Sequence, residues 1–242
     1  MRIGWRLFRA TRYHNGTKVW NTSQIMHDRL MIDNPEHLAT IHPGDFSHVP
    51  DRDGRPGDCF LWIQRNGNQG NAAWGFRYRY SYAIPTPAAI AAIAEFSPHG
   101  VIEMGAGLGY WAHLMRLHGI LVDAYDIEPS PIHNRYFVAQ ADRDIHPWTA
   151  VSVGTEAVLA TADPAKTLFL CWPDTDGFAS RALAAYRGDI LCYVGECDVK
   201  WPATGDDEFR ATLDRDWTIV REVVIPQLKS AKDRLVIYHR NP

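Results

Sequence analysis

The sequence predicts an α/β fold built on a mostly parallel, doubly wound sheet. Three observations predict it. Val101-Ile102-Glu103-Met104 is a short apolar run that enters Gly105-Ala106-Gly107-Leu108-Gly109, as a buried strand enters a glycine turn ahead of a helix. From about residue 96 onward strand-like and helical runs alternate, the pattern that α/β architecture requires. The last two strand-like runs, 217–225 and 234–239, are separated by about eight residues. That gap is too short for a helical crossover, so the last strand should run antiparallel to its neighbour.

The elements follow in order. A first strand at 100–104 leads into a helix at 108–118, which carries Leu108, Trp111, Ala112 and Met115 on one face and stops at Gly119. A second strand covers 120–126. The segment 127–146 bears Pro and His and is expected to be only partly helical. Residues 148–153 read as a third strand and 155–162 as a short helix. Residues 167–172 are a near-continuous apolar run, as for a central strand buried on both faces. A helix at 178–186 closes at Gly188, a fifth strand spans 189–194, and 206–215 is a short acidic helix.

The chemistry is written around the glycine turn. Seventeen residues past Gly109 comes Asp126, at the end of the second strand. A strand, a glycine turn at its C-terminal edge, a helix and an acid ending the next strand make a nucleoside site. The glycines let backbone approach a ligand closely, and the acid accepts from the ribose hydroxyls. A dinucleotide fingerprint, G-x-G-x-x-G, would need its third glycine at 110, where the chain has Tyr110. The observed pattern is E-x-G-x-G-x-G. An acid at Glu103 is poorly suited to a pyrophosphate and well suited to an ammonium group.

That pattern resembles motif I of the class I S-adenosylmethionine (SAM)-dependent methyltransferases. The resemblance covers roughly residues 96–240 and implies a Rossmann-like seven-stranded sheet ordered 3-2-1-4-5-7-6, with SAM as cofactor. It implies cofactor contacts at Glu103, Gly105, Ala106, Gly107 and Gly109, with Tyr110 bordering the methionine end. It implies ribose and adenine contacts at Asp126 and Ile127, and an adenine neighbour at Thr155, with Glu156 one step off. After the fourth strand, Leu170-Cys171-Trp172-Pro173-Asp174-Thr175-Asp176 is similar to the Asp/Asn-Pro-Pro-Tyr strip of amino-methyltransferases, which holds a target NH₂ toward the sulfonium methyl. Cys171 stands where Asp or Asn would, and Asp174 replaces the second proline. With Gly-Tyr-Trp-Ala at 109–112 and Tyr-Val-Gly-Glu at 193–196, the strip resembles a little-characterised subgroup with a Cys-Trp-Pro strip. Cys171 is then a cofactor-side residue, and Trp172 and Pro173 are substrate-side. Asp174, Asp176 and Glu196 are the candidate acids or bases. Asp174 and Asp176 equally suit a cap on the helix that follows, and Glu196 a capped turn.

Residues 1–95 form a separate N-terminal extension ahead of a core at 96–242. They are rich in aromatics, Gly, Pro and Asn. Residues 60–63 and 74–82 flank a polar Asn/Gly stretch, as in a β-hairpin. Trp74, Phe76, Tyr78, Tyr80 and Tyr82 alternate with Gly75, Arg77, Arg79 and Ser81, which as a strand puts aromatics on one face and arginines on the other. Packing on the core and a substrate wall are both open readings, and Tyr82 is the expected lid contact with the cofactor.

Composition narrows the setting. The chain has 242 residues and a formal net charge of −3, with no apolar stretch of eighteen residues and no apolar signal core. A cytoplasmic protein without a membrane partner is expected. Residues 1–80 hold 11 Lys/Arg against 7 Asp/Glu, and the remainder 14 against 21. This admits an anionic partner without requiring one. Cys59, Cys171, Cys192 and Cys197 form no C-x-x-C pair and read as reduced core thiols. His27, His37, His42 and His48 match no metal spacing, and no metal is expected. The expected activity is methyl transfer from SAM to N or O of a small molecule. DNA or RNA base methylation and a catalytically inactive SAM-binding protein are the alternatives. The acceptor and the oligomeric state are not written in the chain.

Overall fold

The computed structural model describes residues 13–14, 17–18, 76–78, 80–129, 134, 147–197, 202–226 and 231–242. Its core is a seven-stranded sheet: β1 (Val101–Met104), β2 (Val122–Asp126), β3 (Ser152–Val153), β4 (Thr167–Cys171), β5 (Ile190–Glu196), β6 (Trp217–Val224) and β7 (Asp233–Arg240). The strand order is 3-2-1-4-5-7-6. β1 to β5 are parallel to one another, and β7 is antiparallel to both β5 and β6. Strand order and direction are those the resemblance predicted.

Helices cover both faces: α1 (Pro87–Phe96), α2 (Tyr110–Leu117), α3 (Phe178–Ala185) and α4 (Asp207–Asp216). Side chains alternate across a strand, and here they sort into two cores. Val101, Phe169 and Ile237 face α1 and α2, with Ile90, Ile93 and Trp111. Ile102, Leu168 and Val236 face α3 and α4, with Ala182, Leu183 and Phe209. The central strands β1 and β4 are apolar throughout except for Glu103 and the Thr167 start, because both faces are covered.

The helix starts are chemically marked. Thr86 caps α1, its hydroxyl accepting from the Ala89 N–H at 3.1 Å, with Pro87 at the first position. Asp206 caps α4 by accepting from Phe209 N–H at 2.9 Å and also accepts from Ser180 N–H at 3.1 Å, so one carboxylate ties α3 to α4. α1 lies ahead of residue 96 yet packs into the same core as β1. The packing unit therefore begins by Pro87, inside the stretch expected to be a separate extension.

Three expectations are corrected. The third strand is only Ser152–Val153, because Trp148 is pulled off the sheet edge. Its N–H donates to Leu108 O at 2.8 Å, and its ring packs on Tyr110 and Tyr80 with centroids at 4.8 and 5.3 Å. The expected helix at 155–162 is a 3-10 turn, Glu156–Ala160. Residues 76–78 are a helical turn instead of the expected strand. Tyr80 N–H donates to Phe76 O at 2.9 Å, and these two rings, four residues apart, are both buried on one side. The first arm of that hairpin, 60–63, lies outside the described residues. A two-stranded antiparallel pair does occur in the N-terminal region, Tyr13–His14 with Thr17–Lys18.

Candidate functional site

β1 ends at the glycine turn, and its three glycines all adopt positive φ: 71° at Gly105, 55° at Gly107 and 77° at Gly109. This is the left-handed region that other residues enter at a cost. Gly109 has a second reason to be glycine, since a Cβ there would stand 2.9 Å from methyl groups of both Thr149 and Val151. The turn is tied to β2 by two bonds. Ala106 N–H donates to Tyr125 O at 3.0 Å, and Gly107 N–H to Asp126 Oδ2 at 2.8 Å. Asp126 Oδ1 accepts from Glu128 N–H at 2.9 Å. Asp126 thus ends β2 as a buried, oriented carboxylate beside the turn. Ile127 next to it is largely exposed, as is Thr155 at the head of the 3-10 turn, whose hydroxyl accepts from Ala157 N–H.

Glu103 is the unusual residue of this region. It is 2% exposed, paired in register with Ala124 on β2 and Phe169 on β4. Its Oε2 is buried with no hydrogen-bond partner. The cation that acts on it, Arg116, is bonded elsewhere. The Arg116 guanidinium is spent on Thr149 Oγ1 at 2.6 Å, Val122 O at 2.8 Å and Ala150 O at 2.9 Å. Burial pushes the Glu103 carboxyl up to about 8. Arg116 and the Ala112 backbone N–H pull the other way, and Asp126 adds to the rise.

Tyr110 opens α2, but its ring is buried among Tyr80 and Trp148. It packs with them beside the turn.

The second half of the edge lies after β4. Trp172 has φ 53°, the one positive φ outside glycine among the described residues. For a bulky residue this costs about 1–3 kcal/mol and persists only where surroundings enforce it. Four contacts enforce it. Trp172 N–H donates to Val194 O at 2.8 Å, and its indole N–H to Asp233 Oδ1 at 2.7 Å. The Arg77 guanidinium lies over its ring at 5.0 Å, and the Tyr82 ring packs at 5.4 Å. The expected separation of aromatic and arginine faces therefore does not extend to Arg77, which is turned onto the rings of Trp172 and Tyr82. Pro173 is buried, and its carbonyl accepts from Gly205 N–H at 2.8 Å.

Asp233 is the site residue that the sequence reading missed. It is 0% exposed, and burial raises its carboxyl to about 7. The Trp172 bond and the Arg77 charge lower it, while Glu196 raises it. Antiparallel register sets Asp233 directly opposite Glu196. Both carboxylate oxygens of Glu196 are taken by backbone, accepting from Ala203 N–H at 2.7 Å and Lys232 N–H at 3.2 Å. Glu196 thus brackets two loops to the sheet edge, which accounts for its burial. Asp176 is exposed and accepts from Phe178 N–H at 3.1 Å in the turn that leads into α3, whose N-cap is Gly177. Asp174 is exposed on the same loop. Cys171 ends β4 between the two halves. Burial, then Glu103 and Asp233, hold its thiol well above the usual range, so it is a neutral group here.

The described residues hold no His/Cys/Asp/Glu grouping fit for a metal and no helix long and apolar enough to cross a membrane. The four clustered histidines and Cys59 lie outside them.

No protein-family model matches the chain, and no curated protein matches it in sequence. Solved structures resemble it in chain course. Magnesium protoporphyrin IX methyltransferase from Synechocystis PCC 6803, solved with bound SAM, is 14% identical, covering 93% of this chain and 100% of that one at a TM-score of 0.43. A mutant of MtNAS in complex with S-adenosylmethionine is 15% identical, covering 90% and 76%, at 0.42. An rRNA methylase from Streptococcus thermophilus is 16% identical, covering 66% and 99%, at 0.40. At these values they share a general chain course with this protein and no more. The strand order, the antiparallel β7 and the glycine turn between β1 and α2 give this protein the seven-stranded α/β sheet expected from its resemblance to class I methyltransferases.

Proposed function

We propose that the protein is a SAM-dependent methyltransferase acting on N or O of a small molecule. One observation carries the reading: the glycine turn after β1 is framed by two buried carboxyls, Glu103 and Asp126, one of which has an oxygen without a partner. A buried acceptor with no donor is costly unless a ligand supplies one. SAM has an ammonium group and a ribose diol, which suit Glu103 and Asp126 in turn. A dinucleotide would bring a pyrophosphate toward an acid, which is unfavourable.

Bound SAM supplies an electrophilic methyl on a sulfonium centre. The protein's part is then binding and orientation. Asp126 accepts from the ribose hydroxyls, with Ile127 and Thr155 on the adenine side and the backbone of Gly105, Ala106, Gly107 and Gly109 allowing close approach. Glu103 faces the ammonium group. Tyr82 and Cys171 lie on the cofactor side, and Trp172 and Pro173 form the acceptor side, where the fixed Trp172 gives the strip one shape. Asp174 is the remaining candidate for orienting or deprotonating the acceptor, since Asp176 and Glu196 have structural bonds. The inward turn of Arg77 weighs against a nucleic-acid acceptor.

Calorimetric titration with S-adenosylhomocysteine, SAM and NAD tests the cofactor. Micromolar binding of the two sulfur nucleosides and none of NAD is expected; NAD binding alone overturns the reading. A steep salt dependence of DNA or RNA affinity would replace the small-molecule acceptor by a nucleic acid. Cofactor binding with no methyl transfer to amines, hydroxyls or nucleic acids would favour the inactive SAM-binding alternative.

A further inference from the structure

Resting on the SAM reading, we propose that Glu103 couples cofactor binding to proton release: the free protein carries Glu103 as a neutral acid, and the incoming ammonium group expels its proton. Three features of the site carry this.

The carboxyl is enclosed. It stands on β1 between Ala124 and Phe169, under α2, and is 2% exposed. Next, its charge is compensated only in part, by the Ala112 backbone N–H and the Arg116 charge. Among the described residues, the charged and titratable groups acting on it are Arg116 from α2, Asp126 from β2 and Cys171 from β4. Arg116 is the one cation of the three, and its guanidinium is bonded to Thr149, Ala150 and Val122. Asp126 repels a second negative charge, and Cys171 is a neutral thiol that contributes none. Finally, one oxygen, Oε2, is buried and unbonded. An ionised carboxylate so placed is held at high cost, whereas a neutral acid is tolerated. The value of about 8 agrees with this geometry.

An ammonium ligand reverses the balance. Its charge stabilises the carboxylate and its N–H fills the vacant acceptor, so the bound state holds Glu103 ionised. The proton balance is one H⁺ lost to solvent from the Glu103 carboxyl as the ligand's ammonium binds. No bond is made or broken elsewhere. Affinity therefore rises with pH up to about 8, where the proton must leave less often, and falls again once the ligand's own ammonium group deprotonates. The device makes cofactor loading sensitive to pH within the physiological range. It also discriminates by charge, because a neutral analogue lacking the amine gains nothing from ionising Glu103.

The test is calorimetry on the full chain with S-adenosylhomocysteine. Titrations at pH 7 in phosphate and in Tris, whose ionisation enthalpies differ, should report close to one proton released per ligand. Between pH 6 and 7.5 the affinity should rise roughly 20-fold, by linkage from a group titrating near 8. Glu103→Gln should bind with an affinity that is flat over this range and with no buffer dependence. Equal wild-type affinities at pH 6 and 7.5, with equal heats in both buffers, would overturn the coupling while leaving the cofactor reading intact. A pH slope that survives in Glu103→Gln would assign the proton to another group and overturn it also. Failure to bind S-adenosylhomocysteine at any pH would overturn the cofactor reading itself, a result distinct from either.

Discussion

Glu103 and Asp233 are both buried carboxyls at the same edge of one sheet, and each takes a donor from the fold: the Ala112 backbone N–H for Glu103 and the Trp172 indole for Asp233. Glu103 ends β1 beside the glycine turn with one oxygen unbonded. Asp233 starts β7 with one oxygen accepting from the Trp172 indole, and the Arg77 charge also acts on it. In the proposed site the first takes a partner from outside. The second has its partner inside the fold and converts burial into conformational control, because Trp172 would not hold a φ of 53° unaided. A buried acid is therefore not a functional signal by itself. What distinguishes the two is the donor: the indole on Asp233 belongs to a residue held at positive φ, whereas the N–H acting on Glu103 belongs to the regular helix α2.

Substitutions sharpen that contrast, and the largest effect is expected at Glu103. Burial pushes its carboxyl up to about 8 in the folded chain, against about 4.5 for an unburied one. For an acid raised in this way the unfolded state gives up its proton first. Stability is untouched below about 4.5, falls as pH rises to 8, and is flat above, a loss of roughly 4–5 kcal/mol as an upper figure. Urea unfolding of wild type and Glu103→Gln at pH 4.5 and 8 should show the difference between them shift by several kcal/mol in favour of the variant. A shift below about 1 kcal/mol would mean that Glu103 is ionised and paired, on the scale of one pH unit per 1.36 kcal/mol.

Asp126→Ala removes the acceptor for Gly107 and Glu128 N–H as well as for the ribose. S-adenosylhomocysteine binding should weaken by about 1.5–3 kcal/mol, the scale of hydrogen bonds to a charged acceptor. Unchanged affinity by calorimetry would put the ribose elsewhere.

Trp172→Phe keeps a ring under Arg77 and the backbone turn but leaves Asp233 without the indole donor. About 1–3 kcal/mol of unfolding free energy should be lost, with little change in S-adenosylhomocysteine affinity. Equal loss of cofactor affinity would erase the division between the two carboxyls. The smallest effect is expected at the exposed loop. Asp174→Ala should change stability by no more than about 0.5 kcal/mol and leave cofactor binding intact, so that only turnover can report on it.

The half of the edge around Glu103 was legible because it is nearly contiguous. Strand, turn and helix run through residues 101–117, and Asp126 follows on the adjacent strand. The strip after β4 was legible as a position but not as a conformation. Asp233 was hidden because Lys232-Asp233-Arg234 reads as a solvated charged run. Only the antiparallel register opposite Glu196 buries it beside Trp172. Arg77 was misassigned for a different reason. Phe76 and Tyr80 satisfy both a two-residue and a four-residue period, and over so short a stretch periodicity does not separate strand from helical turn. The third strand was overextended because Trp148 fits an apolar strand run as well as it fits the aromatic group of Tyr80 and Tyr110, and packing decided for the second.

A crystal structure with S-adenosylhomocysteine is the most direct test of the two-carboxyl site. The account predicts the ribose hydroxyls on the Asp126 carboxylate and the ammonium group in hydrogen-bond contact with Glu103, with Trp172 unmoved on Asp233. A nucleoside bound away from the glycine turn, or one that turns an uncharged group toward Glu103, would contradict it.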